Sequence, residues 1–172
     1  ESVRHIVGVQ LRNLATVGGS IYSRFGFSDV LTIFLALNAS VELYKGGVVP
    51  LAEYAQRPYD RDILVGVLVP KENARVVYQS VRNSQTDFPV LTCAAAKLAD
   101  GSIRAAIGAR PGKAVLYTAA PEAGETAEEF AARFAAEVKA GIKTESNLRG
   151  SAEYRRHLAG VLTKRAVGRL EG

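Results

Sequence analysis

Gln10-Leu11-Arg12-Asn13-Leu14-Ala15-Thr16-Val17-Gly18-Gly19-Ser20, with Ser28-Asp29-Val30-Leu31 eight residues further on, is the stretch on which the reading of this chain turns. Ahead of the glycines, Val3, Ile6, Val7, Leu11 and Leu14 fall at roughly helical spacing, and Gly8 interrupts them. Residues 1–14 therefore read as one helix or two short ones. Gly18-Gly19 then predicts a tight loop. Two adjacent glycines let a backbone approach a ligand closely and present N–H groups, which suits a diphosphate. Thr16 and Ser20 flank the pair with hydroxyls. Ser28 reads as the N-cap of a buried helix that exits at Asn38, and Asp29 suits its first turn through the macrodipole. A carboxylate at that helix start is positioned to accept hydrogen bonds from sugar hydroxyls. On spacing alone the signal is weak, because a glycine pair also makes ordinary turns and Asp29 also caps.

Outward from this stretch the period changes to two. Val41, Leu43 and Val49 predict a hairpin turned at Lys45-Gly46-Gly47, and Pro50 to Gln56 a short helical turn. Ile63 to Val69 reads as a buried strand, and a boundary is placed at Pro70 to Ala74, giving parts 1–72 and 73–172. Three more strand-like runs follow at Arg75–Arg82, Phe88–Leu98 and Ser102–Tyr117, with Asp100-Gly101 as a hairpin turn. Short turns between successive runs favour antiparallel pairing. Thr126 and Glu129 form a capping box ahead of Phe130, Phe134 and Val138. A last helix opens at Ser151, with a stripe of Tyr154, Leu158, Val161, Leu162 and Ala166 opposite Arg155, Arg156, Lys164, Arg165 and Arg169. The fold class expected is α+β.

Composition excludes several functions. One cysteine, Cys93, rules out an internal disulfide framework, and with two histidines makes a self-contained metal site untenable. His5 and His157 have no acidic partner at a useful spacing, and Cys93 sits in an apolar strand as an inert thiol. The apolar run Val30–Ala36 is too short to span a bilayer, so a cytoplasmic chain with no membrane partner is expected. Net charge is +5, but no aromatic residues interleave with the cations of the last helix. That helix reads as a solvated or subunit-facing surface; a nucleic-acid surface, the other reading of its charge, predicts steep salt dependence. The chain contains no methionine and opens Glu1-Ser2-Val3-Arg4, which suggests a processed chain or part of a longer polypeptide.

The order of motifs resembles the flavoprotein subunits of the molybdenum hydroxylases, the family of xanthine dehydrogenase and aerobic carbon monoxide dehydrogenase. Gln10 to Ser20 resembles that family's Q-[IV]-R-N-x-A-T-[IV]-G-G-N stretch, Ser28-Asp29 its Ser-Asp pair, and Asp62-Ile63-Leu64-Val65 its D/E-I-L segment. Tyr78 with Asp87-Phe88-Pro89-Val90 resembles the start of its small C-terminal domain, and Glu153-Tyr154-Arg155-Arg156-His157-Leu158 its last helix. The resemblance implies the second half of a molybdopterin-dehydrogenase-type FAD-binding domain, then a small antiparallel sheet with C-terminal helices. It implies FAD held at its diphosphate by Thr16, Val17, Gly18, Gly19 and Ser20, at its hydroxyls by Asp29, and at the flavin by Ile6 and Leu64. Electrons would pass from molybdopterin in a large subunit, through two [2Fe–2S] clusters in a small iron–sulfur subunit, to FAD and then to NAD or another acceptor. No catalytic residue is assigned to this chain.

Two departures stand out. Ser20 occupies the position of the family's usual Asn or Asp, and Gln79-Ser80 replaces a lysine often found after the Tyr78 position. Members also carry an N-terminal subdomain, with a first glycine-rich loop, that grips the same diphosphate. A polypeptide carrying that half is therefore the expected partner, and the isolated chain is expected to be inactive. A non-catalytic assembly module that binds no FAD is the alternative.

Overall fold

A computed structural model describes residues 1–71 and 74–171. The boundary expected between residues 72 and 73 lies outside the described residues. The first part carries α1 (Val9–Leu14), α2 (Val17–Tyr22), α3 (Asp29–Ala36), β1 (Ser40–Leu43), β2 (Gly47–Pro50), α4 (Leu51–Tyr54) and β3 (Leu64–Leu68). The second carries β4 (Arg75–Val81), β5 (Leu91–Lys97), β6 (Ile103–Gly108), β7 (Val115–Ala119), α5 (Ala127–Gly141) and α6 (Ala152–Glu171). Both sheets are antiparallel, with orders β2-β1-β3 and β4-β5-β6-β7. The α+β class is as expected.

Sequence chemistry accounts for the element ends. Ser28 Oγ accepts from Leu31 N, capping α3, and Asn38 exits it in the left-handed region at φ 55. Thr126 and Glu129 form the reciprocal capping box of α5. Asp62 explains its place before β3: its carboxylate accepts from Lys45 N at 2.9 Å and Gly46 N at 2.8 Å, tying the β1–β2 turn to the start of β3.

The four-stranded sheet is covered on both faces, so its central strand is continuously buried rather than alternating. Leu91, Cys93, Ala95, Ile103 and Ile107 pack with Phe130, Phe134 and Val138 of α5 and Leu158 and Leu162 of α6. Ala94, Ala96 and Ala106 face the other way, against Leu31 and Leu35 of α3. Small side chains on that face let α3 lie close to the sheet. One of the two core clusters thus draws residues from both parts of the chain.

Four expectations about the elements require correction. The Ser102–Tyr117 run is two strands, because Arg110-Pro111-Gly112 turns the chain, with Ala109 at φ 59 and Gly112 at φ 114. The strand at 63–69 is not buried: β3 is an edge strand whose Val65 and Leu68, with Ile63 before it, are exposed. Arg155 is not on the solvated side of α6. It is 1% exposed and donates to the carbonyls of Val90, Glu145 and Gly150, pinning the loop that precedes the helix. Tyr154, expected in the apolar stripe, is exposed instead. Cys93 is buried, and burial pushes its thiol up to about 12. Among the described residues, no helix is long and apolar enough to cross a membrane.

Candidate functional site

The glycine pair is helical rather than a loop. Thr16 caps α2, its Oγ1 accepting from Gly19 N at 2.9 Å, and Gly18 and Gly19 form the first turn. A good N-cap stabilises a helix by about 1 kcal/mol, which offsets the roughly 1 kcal/mol cost of each interior glycine only in part. What the glycines contribute is clearance. A Cβ at Gly18 would stand 3.7 Å from Leu64 Cδ2, so Gly18 lies beside that side chain with nothing projecting over it. The first-turn amides of α2 lack intrahelical acceptors, as at any helix start, and Val17 is exposed next to them.

Arg12 explains another position of the stretch. Its Nη1 donates to the Ile6 carbonyl at 2.8 Å, holding the preceding turn where Val7 adopts φ 41. Ile6, Ser20, Ser28 and Asp29 then line one cavity of ≈ 170 Å³, closed on its other side by Phe25, Phe27, Arg82 and Phe88. The Ser20 carbonyl accepts from the hydroxyls of Ser23 and Ser28, both at 3.2 Å, so the α2–α3 connection folds back on itself. Of the residues expected to bind, Thr16, Gly18, Gly19 and Leu64 cluster around α2, while Ile6, Ser20 and Asp29 share the cavity.

Asp29 is only 6% exposed, and it is not free. Its Oδ1 accepts from the Tyr78 hydroxyl on β4 and from Arg82 Nη2, one residue past the end of that strand. Burial pushes its carboxyl above the usual range, against the lowering effect of those two donors. Burial and the adjacent carboxylate push the Tyr78 phenol far up, so its proton stays on the Tyr oxygen. Arg82 also donates to the Asp87 carbonyl at 2.6 Å. The cluster can hold a carboxylate oriented at the cavity wall with its charge compensated from behind.

Arg24 is a second residue whose role single-residue reading misses. Its buried guanidinium stacks over Tyr54 at 4.0 Å and Tyr59 at 5.1 Å, donates to Tyr54 Oη at 2.8 Å and pairs with Asp60 at 3.3 Å. It latches the segment before β3 onto the α2–α3 connection, which sets Leu64 beside Gly18. Only Tyr54, Tyr59 and Asp60 could have signalled it, and they fall in two segments, the short helical turn of Pro50 to Gln56 and the polar stretch Arg57 to Arg61.

Comparison with known proteins follows this geometry. Residues 1–72 match the family described as FAD binding domain in molybdopterin dehydrogenase, and residues 76–170 match CO dehydrogenase flavoprotein C-terminal domain. The uncharacterized protein YgfM of Escherichia coli K12 is 27% identical over 165 residues, covering 94% of this chain and 61% of that one. The glyceraldehyde dehydrogenase medium chain of Sulfolobus acidocaldarius is 26% identical over 181 residues, covering 96% and 64%. Among solved structures, quinoline 2-oxidoreductase from Pseudomonas putida 86 superposes with a TM-score of 0.81 at 21% identity, covering 98% of this chain and 65% of that one. Carbon monoxide dehydrogenase from Hydrogenophaga pseudoflava does so with a TM-score of 0.81 at 22% identity, covering 99% and 65%. The chain thus spans less than two thirds of the length of these relatives. With the two matches running in order along nearly its whole length, it belongs to the flavoprotein subunit family of the molybdenum hydroxylases.

Proposed function

We propose that this chain is the FAD-binding, electron-transfer component of a molybdenum hydroxylase-like oxidoreductase, working in the cytoplasm, with 1–72 and 73–172 as its two modules. The observation that carries the reading is that Gly18 stands open beside Leu64 at the α2 start while Ile6, Ser20 and Asp29, from the same stretch of chain, line one cavity. The residues present fit the group. The Val17 and Gly18 amides of α2 would take the diphosphate, the missing Gly18 side chain would let it approach, and Thr16, bonded to Gly19 N, would hold the turn rather than the ligand. Ser20 and Asp29 would meet hydroxyls, and Ile6 and Leu64 would supply apolar contact. Bound FAD supplies the one- and two-electron carrier between iron–sulfur clusters and the final acceptor. The chain's own residues bind it, orient it and keep the Asp29 charge compensated through Tyr78 and Arg82.

The cavity of ≈ 170 Å³ encloses only a part of such a cofactor. Val9, Leu11 and Leu14 of α1, Val17 of α2, Ile63 ahead of β3 and Val65 within it are exposed apolar residues of the same part of the chain. Both facts support a second polypeptide carrying the N-terminal half of the FAD domain. The remaining proposed partners are an iron–sulfur subunit with [2Fe–2S] clusters and a large molybdopterin-binding subunit, with NAD or another compound as acceptor. The same exposure equally motivates the alternative of an assembly module that binds no FAD alone.

The test is a titration with FAD, followed by flavin fluorescence, of the chain alone and of the chain mixed with the complementary polypeptide. The expected result is binding that tightens at least about tenfold in the mixture and weakens by a similar factor in Gly18→Val. Absence of FAD uptake in both samples overturns the cofactor assignment and leaves the assembly role.

A further inference from the structure

Phe25, Phe27 and Phe88 form a wall with a cavity on each side. Phe25 and Phe27 stack at 5.1 Å, Phe27 and Phe88 meet edge-on at 4.8 Å, and the Arg149 guanidinium lies over Phe88 at 5.2 Å. On the side away from Ile6 and Asp29 the same rings line a second cavity of ≈ 450 Å³. Four cations, Arg24, Lys113, Arg149 and Arg155, line it, and no carboxylate does.

The charges there are unevenly compensated. Arg24 pairs with Asp60, and Arg149 with Asp87 at 3.0 Å. Lys113 donates only to carbonyls, those of Gln56 at 2.6 Å and Arg57 at 2.9 Å. Arg155 likewise spends its donors on carbonyls and on Asn147 Oδ1. Arg110, next to the lining residue Gly112, donates to the carbonyls of Lys113 and Lys143. Among the described residues, none of these last three has a carboxylate partner. Burial, with Arg149 nearby, pushes the Arg155 guanidinium down, the direction that uncompensated positive charge produces.

Hydrogen-bonding capacity points the same way. Asn147 Oδ1 is taken by Arg155 and by the Arg149 amide, which leaves its NH2 as the free group. Arg149 uses Nε and Nη2 on Asp87 and keeps Nη1, and Lys113 keeps one N–H. A concave site with spare donors, excess positive charge and a three-ring wall recognises a planar ring bearing an anionic group. Its volume is of nucleotide size.

We propose that the cavity between the Phe25–Phe27–Phe88 wall and the Lys113, Asn147, Arg149 and Arg155 cluster binds a phosphate-bearing aromatic ligand of the nucleotide class. The rings take the base, and Lys113 and Arg149 take the phosphates. This site shares the phenylalanine wall with the cavity assigned to FAD but lies on its other side, and it does not rest on that assignment.

The full chain is titrated by calorimetry with ADP, adenosine and inorganic pyrophosphate as probes. ADP binding is expected to exceed adenosine binding by at least about tenfold and to weaken as salt rises. Lys113→Ala and Arg149→Ala should each weaken ADP by about tenfold, Phe25→Ala should bring ADP towards pyrophosphate, and Gly18→Val, which weakens FAD, should leave the Lys113- and Arg149-dependent ADP binding in place. Arg149 lies at the rim, so its variant tests the site even where Lys113→Ala disturbs the loop at 56–57; thermal melts of both establish folding. ADP binding that is lost in Gly18→Val and kept in Lys113→Ala and Arg149→Ala places the ligand on the FAD face and overturns the proposal. So does the absence of ADP binding, or equal binding of adenosine. Failure of FAD to bind, with ADP still sensitive to Lys113 and Arg149, overturns only the cofactor reading.

Discussion

Helices α1 and α6 both carry apolar residues, and they end in opposite circumstances. In α6, Leu158, Leu162, Ala166, Val167 and Leu170 are all buried against α5 and the four-stranded sheet. In α1 no residue is buried, Val9 and Leu11 are exposed, and Leu14 is 84% exposed. An apolar pattern specifies that a helix has a partner surface and is silent about which chain carries it. For α6 the surface lies in this chain. In α1, at the α2 start and along β3, apolar residues are left exposed, and exposed apolar surface of this kind is what interaction sites are made of. The C-terminal sheet and its helices are a finished core, whereas the N-terminal part leaves apolar side chains exposed.

Variants can break that contrast. The largest effect is expected at the junction of the two regions, where a Cβ at Gly26 would fall inside the van der Waals shell of the Gly112 carbonyl. Gly26→Ala should cost about 4 kcal/mol or abolish folding, measured by urea unfolding. In the finished core, Phe134→Ala should cost about 4 kcal/mol through the cavity it leaves. A Phe134→Ala variant as stable as the parent would sink the description of that half as closely packed. At the cavity wall, Arg82→Met strands the buried Asp29 carboxylate and should cost about 3 kcal/mol, with the Asp29→Asn/Arg82→Met double variant recovering part of it.

A smaller effect is expected on the surface of the C-terminal helices. Hydrogen bonds from Arg133 hold Glu125 well below the usual carboxylate range, at about 2. A carboxyl depressed in the folded state stabilises above its unfolded pKa and loses that contribution as pH falls through the folded value. The stability difference between the parent and Glu125→Gln should therefore be constant above about pH 4.5 and shrink towards pH 2. A difference that grows on acidification contradicts the pairing. The smallest effect belongs to α1, where Leu14→Ser should shift unfolding by less than about 0.5 kcal/mol while weakening capture of the complementary polypeptide.

What the sequence made legible was local. Ser28, Asn38 and the Thr126–Glu129 box each act on residues within a turn of themselves, so their chemistry could be read directly. The glycine pair misled because its conformation is decided by the Thr16 cap rather than by glycine's own freedom. The apolar residues at 63–69 gave no sign of being exposed, since an open edge strand and a buried one share composition. Arg155 could not be separated from its basic neighbours, because the carbonyls it binds come from positions as distant as Val90. Asp29 was legible as a carboxylate in the first turn of α3, whereas its engagement by Tyr78 and Arg82 spans 49 and 53 residues and no local pattern encodes it.

The Phe25–Phe27 segment is also anchored from behind, since Ala109 N donates to the Gly26 carbonyl at 2.6 Å between the two rings. Its backbone is thereby fixed to the turn between β6 and β7. Two rings that belong to the first part of the chain are thus riveted in place by a backbone bond from the second, so the wall that both cavities share takes its position only when the two parts fold together.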